Sequence, residues 1–464
     1  MELQLIRQQL YKRYIEPTKK KREKYIGVEI EMPVVNLSKK AVDFKIIHTL
    51  TDRFISHFNF DVLGTDDEEN IFSAQSPNNG DILSYDCSYN NLELSFGKEK
   101  NLFTIQKRFY EYYDFLQNEL KSYNYTLTGM GVNPYRNFNH KVPIPNGRYR
   151  MLFHHLNSYK NYLNLPMHFH RYPEYGTFSS ASQVQLDVEY DKLVLTLNTF
   201  SKLEPIKALL FSNSVLLGEN EYILCCRDMF WENSTHGINP HNVGMYDCEF
   251  ESVEDILSYI ETTSLYCVER EDKYINFSPI RLDEYFNRQS VTGEYFDNGI
   301  YRKIEIEPCF KDFQYLRTFK FIDLTFRGTI EFRSMCCQPI SDSLCVAAFH
   351  VGLMDKLEEL SKLLESDRVL YHHGYTSSEL RKFLIMQDFP QFIDKDKLYN
   401  LAKRVVDLAY EGLICRSQGE EKLLEPLYYR ISQRTNPAKN MKILKNSGVK
   451  LEDIITEYAK RSTQ

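Results

Sequence analysis

The chain has 464 residues, with 57 Lys and Arg against 64 Asp and Glu, a formal net charge of −7, and 42% hydrophobic and 14% aromatic residues. That composition supplies a large core and excludes a disordered chain, and its acidic balance lacks the basic footprint of a nucleic-acid binder. No uninterrupted apolar run approaches the roughly 20 residues needed to span a bilayer, and ten dilute cysteines exclude a disulfide scaffold.

The opening stretch MELQLIRQQLYKRY has no apolar signal core and no small-residue cleavage site, so a cytoplasmic location is expected. The adjacent pairs Cys225–Cys226 and Cys336–Cys337 lack the spacing of a zinc knuckle and read as reduced thiols. The basic run Lys19–Lys24 reads as a solvated loop. Long irregular connections are expected over 64–81, rich in Asp, Glu, Asn and Ser, and over 140–150, with Pro143, Pro145 and Gly147. The aromatic run Arg108–Leu116 has helical spacing and is expected to pack in a core. His154–His155, His168 and His170 could form a metal pair, but the neighbouring Pro166 and Pro173 favour an ordinary polar turn.

From Ser341 onward the pattern turns helical. Leu344, Ala347, Ala348, Leu353, Leu357 and Leu360 follow the 3.6 period, with Ser341 placed to cap the helix. Further amphipathic stretches begin near Ser377, Lys397 and Leu451. The expected organisation is an α+β body over 1–340 and a helical part over 341–464, packed together.

Four segments carry the chemistry. In YIGVEIEM, Ile26, Val28, Ile30 and Met32 alternate with Gly27, Glu29 and Glu31; in NNLELSF, Leu92, Leu94 and Phe96 alternate with Asn91, Glu93 and Ser95. In SQVQLDVEY, Val184, Leu186 and Val188 alternate with Gln183, Gln185, Asp187 and Glu189; in RGTIEFRSM, Ile330 and Phe332 alternate with Thr329, Glu331 and Arg333. Period-two alternation puts each polar set on one face of a strand. An antiparallel sheet with one solvated face gives the same alternation. The polar residues here are acids and amides that cannot neutralise one another, so if the strands adjoin, a cation such as Mg²⁺ or Mn²⁺ is needed between them.

These segments occur in a telling order with Asp86-x6-Glu93, GVNP at Gly131–Pro134, RYRML at Arg148–Leu152, RDMFW at Arg227–Trp231, RGTIEFRSMCCQP at Arg327–Pro339 and a helical tail containing EGLICRSQGEEKLLEPL. The order resembles the glutamate–cysteine ligase (γ-glutamylcysteine synthetase) family in its plant and bacterial branch, over about residues 25–460. The resemblance implies an α+β fold with a curved, mainly antiparallel sheet, one polar catalytic face and flanking helices, related to glutamine synthetase and the guanido kinases. It implies metal ligands at Glu29, Glu31, Asp86, Glu93, Gln185 and Glu331, and catalytic roles for Glu31, Glu331 and Arg333. Gln185 departs from the His found in some relatives and would be a weaker, neutral ligand. Arg227 and Arg333 are the implied grips on substrate carboxylate and phosphate, while Arg148 and Tyr149 match a segment bordering the site.

The implied reaction is ATP-dependent joining of L-glutamate to L-cysteine through a γ-glutamyl phosphate, the first step of glutathione-type thiol synthesis, with Mg²⁺ or Mn²⁺. The expected partners are L-glutamate, L-cysteine or another small amine, and ATP, without nucleic acid or membrane, in a monomer or homodimer. Another amine acceptor and a catalytically silent binding module are the alternatives. No GxxxxGK[ST] loop is present, and the resembled family does not need one.

Overall fold

The computed structural model describes residues 3–462; residues 1, 2, 463 and 464, the outer ends of the two expected parts, lie outside it. The strands in chain order are β1 (Ile26–Asn36), β2 (Asp61–Thr65), β3 (Ile71–Gln75), β4 (Ile82–Tyr85), β5 (Asn91–Glu99), β6 (Tyr125–Leu127) and β7 (Ser182–Asp187). They are followed by β8 (Val243–Gly244), β9 (Ser264–Arg270), β10 (Lys273–Arg281), β11 (Val291–Asp297) and β12 (Ile300–Ile306). The last three are β13 (Phe319–Lys320), β14 (Ile322–Leu324) and β15 (Thr329–Phe332). The architecture is mixed α+β, with antiparallel sheets and helical regions.

The main sheet runs β14-β15-β7-β1-β5-β4-β3-β2, with β6 paired to the far end of β1, and all its pairings are antiparallel. The four polar-faced segments are therefore four consecutive strands, β15-β7-β1-β5. A second antiparallel sheet, β12-β11-β10-β9, packs beside the helix Gly147–Asn157, and β8 and β13 form a short parallel pair. The stretch 64–81 is not wholly irregular: Ile71, Phe72 and Ala74 supply enough apolar contact to pair β3 between β2 and β4. The connection over 140–150 ends earlier than expected, because Asn146 caps a helix that starts at Gly147.

Ile26, Val28, Ile30 and Met32 turn to the core with at most 2% exposure, which leaves Glu29 and Glu31 on the other face. The core is continuous from this sheet into the helices beyond residue 340. There the helical run divides into Cys345–Asp355 and Leu357–Ser366, because Lys356 leaves the helical conformation (φ −120°, ψ 32°), and Leu353, Leu357 and Leu360 all remain buried. Ser341 does not cap the run. It sits in a 3₁₀ turn, Ile340–Asp342, and donates to Asp342. The other expected amphipathic stretches form Ser377–Leu384, Lys395–Arg416 and Leu451–Tyr458. Gly352 and Gly412 meet where Cys345–Asp355 crosses Lys395–Arg416; a Cβ on Gly352 would stand 2.1 Å from the Ala409 carbonyl oxygen, so only glycine permits this approach.

The aromatic run lies on the helix Leu102–Lys121, where Phe109, Tyr110, Tyr112 and Tyr113 are buried in the core. All ten cysteines are free thiols. No helix of the described residues is long and apolar enough to cross a membrane.

Candidate active site

Strand register brings the acids together. Glu31 pairs opposite Glu93 across β1 and β5, and Glu29 lies opposite Ser95 on one side and Gln183 on the other. Glu331 pairs opposite Gln185 across β15 and β7. Because all these positions share one face, Glu29, Glu31, Glu93 and Glu331 line a single cavity of about 450 Å³, joined by Asp86 from the turn after β4.

Glu29, Glu31 and Glu93 are held by neutral donors. Glu31 accepts hydrogen bonds from the Ala181 amide (2.7 Å) and Gln183 Nε2 (3.0 Å), and Glu93 accepts from Ser95 Oγ (2.6 Å). Gln185 Nε2 lies between Glu29 (3.0 Å) and Glu331 (3.1 Å), while its carbonyl oxygen accepts from Arg327 (2.7 Å). The side-chain oxygen of Gln183, buried on the same strand face, has no protein partner.

Neutral donors do not cancel charge, and the proton affinities show it. Burial, followed by Asp86 and Glu93, pushes Glu31 up to about 8. Burial and Asp86 push Glu93 up to about 7. Glu29 is raised well above the usual range by burial and then by Glu93 and Glu331, and burial raises Asp86. Crowded buried acids of this kind lack positive charge. Among the described residues no three His, Cys, Asp or Glu stand as a ready-made ligand set. The donor chemistry nevertheless fits a hard cation, since Mg²⁺ takes one or two carboxylates and completes its shell with water and substrate phosphate.

Arginines face the acids. Arg227 comes from the helix Cys226–Glu232, is 4% exposed, and donates through Nη1 to the Met335 carbonyl (2.9 Å). Its guanidinium lies 5.1 Å from the Trp231 ring, and its Nε has no partner. Arg333 pairs with Glu331 (3.0 Å) and lies 5.6 Å from the Trp231 ring. Arg148 and Tyr149 occupy the first turn of Gly147–Asn157. Tyr149 is buried and donates to the Tyr85 carbonyl (3.1 Å), while Arg148 lines the cavity and its charge favours the ionised form of Asp86. Among the described residues Arg13, Arg148, Arg227, Arg317 and Arg327, all lining the cavity, have no carboxylate within 4.0 Å, whereas Arg333 has Glu331. The structure thus brings Glu29, Glu31, Asp86, Glu93, Glu331, Arg148, Tyr149, Arg227 and Arg333 to one cavity, with Gln185 bridging Glu29 and Glu331.

Several lining residues escaped the sequence reading. Asp323 lies opposite Glu331 across β14 and β15, accepts from Thr318, and is pushed up to about 6 by burial. Its signal was the alternation Ile322-Asp323-Leu324, too short to stand out. Gln183 was visible on its strand face, whereas Arg317, His236 and Tyr266 carried no local pattern. The histidines form no metal pair. His155 is buried and stacked 3.9 Å from the Tyr266 ring centre, and His170 bonds the Phe230 carbonyl and the Tyr172 amide.

No family model matches the chain, and no curated protein matches it. Among solved structures it is similar to a glutamate–cysteine ligase from Francisella tularensis in complex with AMP, at 12% identity and TM-score 0.46, covering 95% of this chain and 89% of that one. It is also similar to a bifunctional glutathione synthetase from Pasteurella multocida, at 10% identity and TM-score 0.45, covering 99% of this chain and 53% of the other, so it spans about half that protein's length. A third likeness is to the Pup ligase PafA in complex with Pup, at 9% identity and TM-score 0.37, covering 93% of this chain and 70% of that one. The structural similarity is distant in every case.

Proposed function

We propose that the chain is an ATP-dependent carboxylate–amine ligase that joins the γ-carboxyl of L-glutamate to the amine of L-cysteine. One observation carries this reading: six acids, five of them on the strands β14, β15, β1 and β5, share a cavity with five arginines that have no carboxylate within 4.0 Å, and only Glu331 among the acids is paired with a lining arginine, Arg333.

A free carboxylate does not condense with an amine at neutral pH, because its oxygen is a poor leaving group. Transfer of the γ-phosphoryl group of ATP to the carboxylate releases ADP and gives an acyl phosphate. The amine nitrogen then attacks the carbonyl carbon, the C–O bond to phosphate breaks, and the nitrogen gives up a proton. The protein's task is positioning and charge neutralisation. Glu29, Glu31, Asp86, Glu93 and Glu331 would hold Mg²⁺ or Mn²⁺, which screens the triphosphate from the incoming carboxylate. Gln185 sits where it sets the spacing of Glu29 and Glu331. Arg227 grips the α-carboxylate of glutamate, Arg333 meets the transferring phosphoryl group, and Arg148 and Tyr149 border the reacting end.

A second reading keeps glutamate activation and changes the amine. It is favoured by the apolar and aromatic side chains in the same lining, Leu152, Leu156, Tyr175, Trp231 and Tyr266. A coupled assay of ADP release with glutamate, Mg²⁺ and a panel of amines tests both. Release that depends on cysteine supports the first reading, release with a bulkier amine alone supports the second, and no release with any amine refutes ligase chemistry.

A further inference from the structure

On the helix that carries Arg227, Asp228 belongs to a buried charge cluster whose members do not line the cavity. Arg381, on the helix Ser377–Leu384, is 2% exposed and binds both oxygens of Asp228, through Nε (2.7 Å) and Nη2 (3.0 Å). Its Nη1 donates to the carbonyl (2.9 Å) and carboxylate (2.8 Å) of Glu204, and the Phe321 ring lies 4.5 Å from the guanidinium. Glu204 also pairs with Lys207, so two buried cations balance two buried anions. Asp228 directly follows Arg227 on the helix Cys226–Glu232, and the Cys225 thiol also donates to it (3.3 Å). The segment before that helix is tied to the same region, with the Leu224 amide bonded to the Ile385 carbonyl (2.7 Å).

We propose that Arg381 is a positioning residue for Arg227. By occupying both oxygens of Asp228, it keeps that carboxylate from its neighbour's guanidinium and fixes the short helix so that Arg227 and Trp231 face the cavity. The local neutrality of the cluster leaves the charge of Arg227 for the substrate. A helix 150 residues further along the chain than Arg227 thus sets the substrate grip. A bidentate Arg–carboxylate pair supplies directional rigidity that a lysine or a water cannot.

The test uses the full chain with Arg381→Gln, Asp228→Asn and the double variant, and it reads two quantities. The first, independent of any substrate, is acrylamide quenching of Trp231, the only tryptophan in the sequence. The second, which rests on the ligase reading, is the KM for glutamate against the KM for ATP. Arg381→Gln should raise quenching about twofold and raise the KM for glutamate about tenfold while that for ATP moves less than about twofold. The double variant, with both charges removed, should recover both quantities to within about threefold of wild type, a coupling that independent structural damage would not give. Where Arg381→Gln does not fold, Arg381→Lys keeps the charge and loses the fork, and should raise the KM for glutamate about threefold. Unchanged quenching in a folded Arg381→Gln, or a double variant no better than the sum of the singles, overturns the proposal. If wild type releases no ADP with any amine, the ligase reading fails and the quenching series alone decides the role of Arg381.

Discussion

Glu31 and Glu93 face each other across β1 and β5 on the same side of the sheet, Glu31 buried and Glu93 half-buried. Burial first and then the nearby Asp86 raise both proton affinities, to about 8 and about 7, and Glu93 adds to the rise of Glu31.

Stability of the metal-free protein should therefore depend on pH in an unusual direction. The folded state of this pair holds protons that the unfolded chain releases near 4.5, so their stabilisation is complete below that pH and is lost as pH rises through about 7 to 8. The thermal midpoint should fall between pH 5 and about 8.5 in chelator, and Mg²⁺ with ATP should raise it more at the upper end than at the lower. Scanning calorimetry across this range checks it. A midpoint rising with pH, with no metal effect, would contradict the assignment.

Glu331→Gln and Glu31→Gln should each reduce turnover at least about 100-fold. Neither should lower the thermal midpoint by more than about 5 °C, because removing one acid from a self-repelling cluster offsets the lost hydrogen bonding. Circular dichroism melts beside the activity assay separate the two effects, and collapse of the fold would make these carboxylates structural.

Arg227→Lys keeps the charge and loses the fork that matches a carboxylate. It should raise the KM for glutamate about 10- to 100-fold with the KM for ATP nearly unchanged. An effect confined to ATP would transfer Arg227 to the nucleotide.

Gly352→Ala tests the packing of the helices beyond residue 340. Its Cβ would overlap the Ala409 carbonyl, so the helices must separate, at a cost of about 1–3 kcal/mol in urea unfolding. An unchanged urea midpoint would show that this crossing is loose.

Much of the site was legible because period-two alternation is a local signal. Glu29, Glu31, Glu93 and Glu331 each sit between buried apolar residues, and their strands lie in one sheet in the order β15-β7-β1-β5. Asp323 was missed because a three-residue strand cannot establish a period. The break at Lys356 was missed because the apolar spacing continues across it while the backbone does not. Strand β3 was hidden in a polar stretch because its pairing depends on β2 and β4, which its own composition does not announce. Arg381 was invisible for a different reason. Its partners Glu204 and Asp228 lie more than 150 residues away in the chain, and only tertiary packing brings them together.

The most direct test of carboxylate activation is isotopic. Glutamate labelled with ¹⁸O in its γ-carboxyl group is turned over with Mg²⁺, ATP and the amine that supports ADP release, and the inorganic phosphate is analysed by mass spectrometry. Attack of the carboxylate on the γ-phosphoryl group carries a carboxyl oxygen into phosphate, so the phosphate should gain label in proportion to the amide formed. Unlabelled phosphate accompanying amide formation would contradict the account.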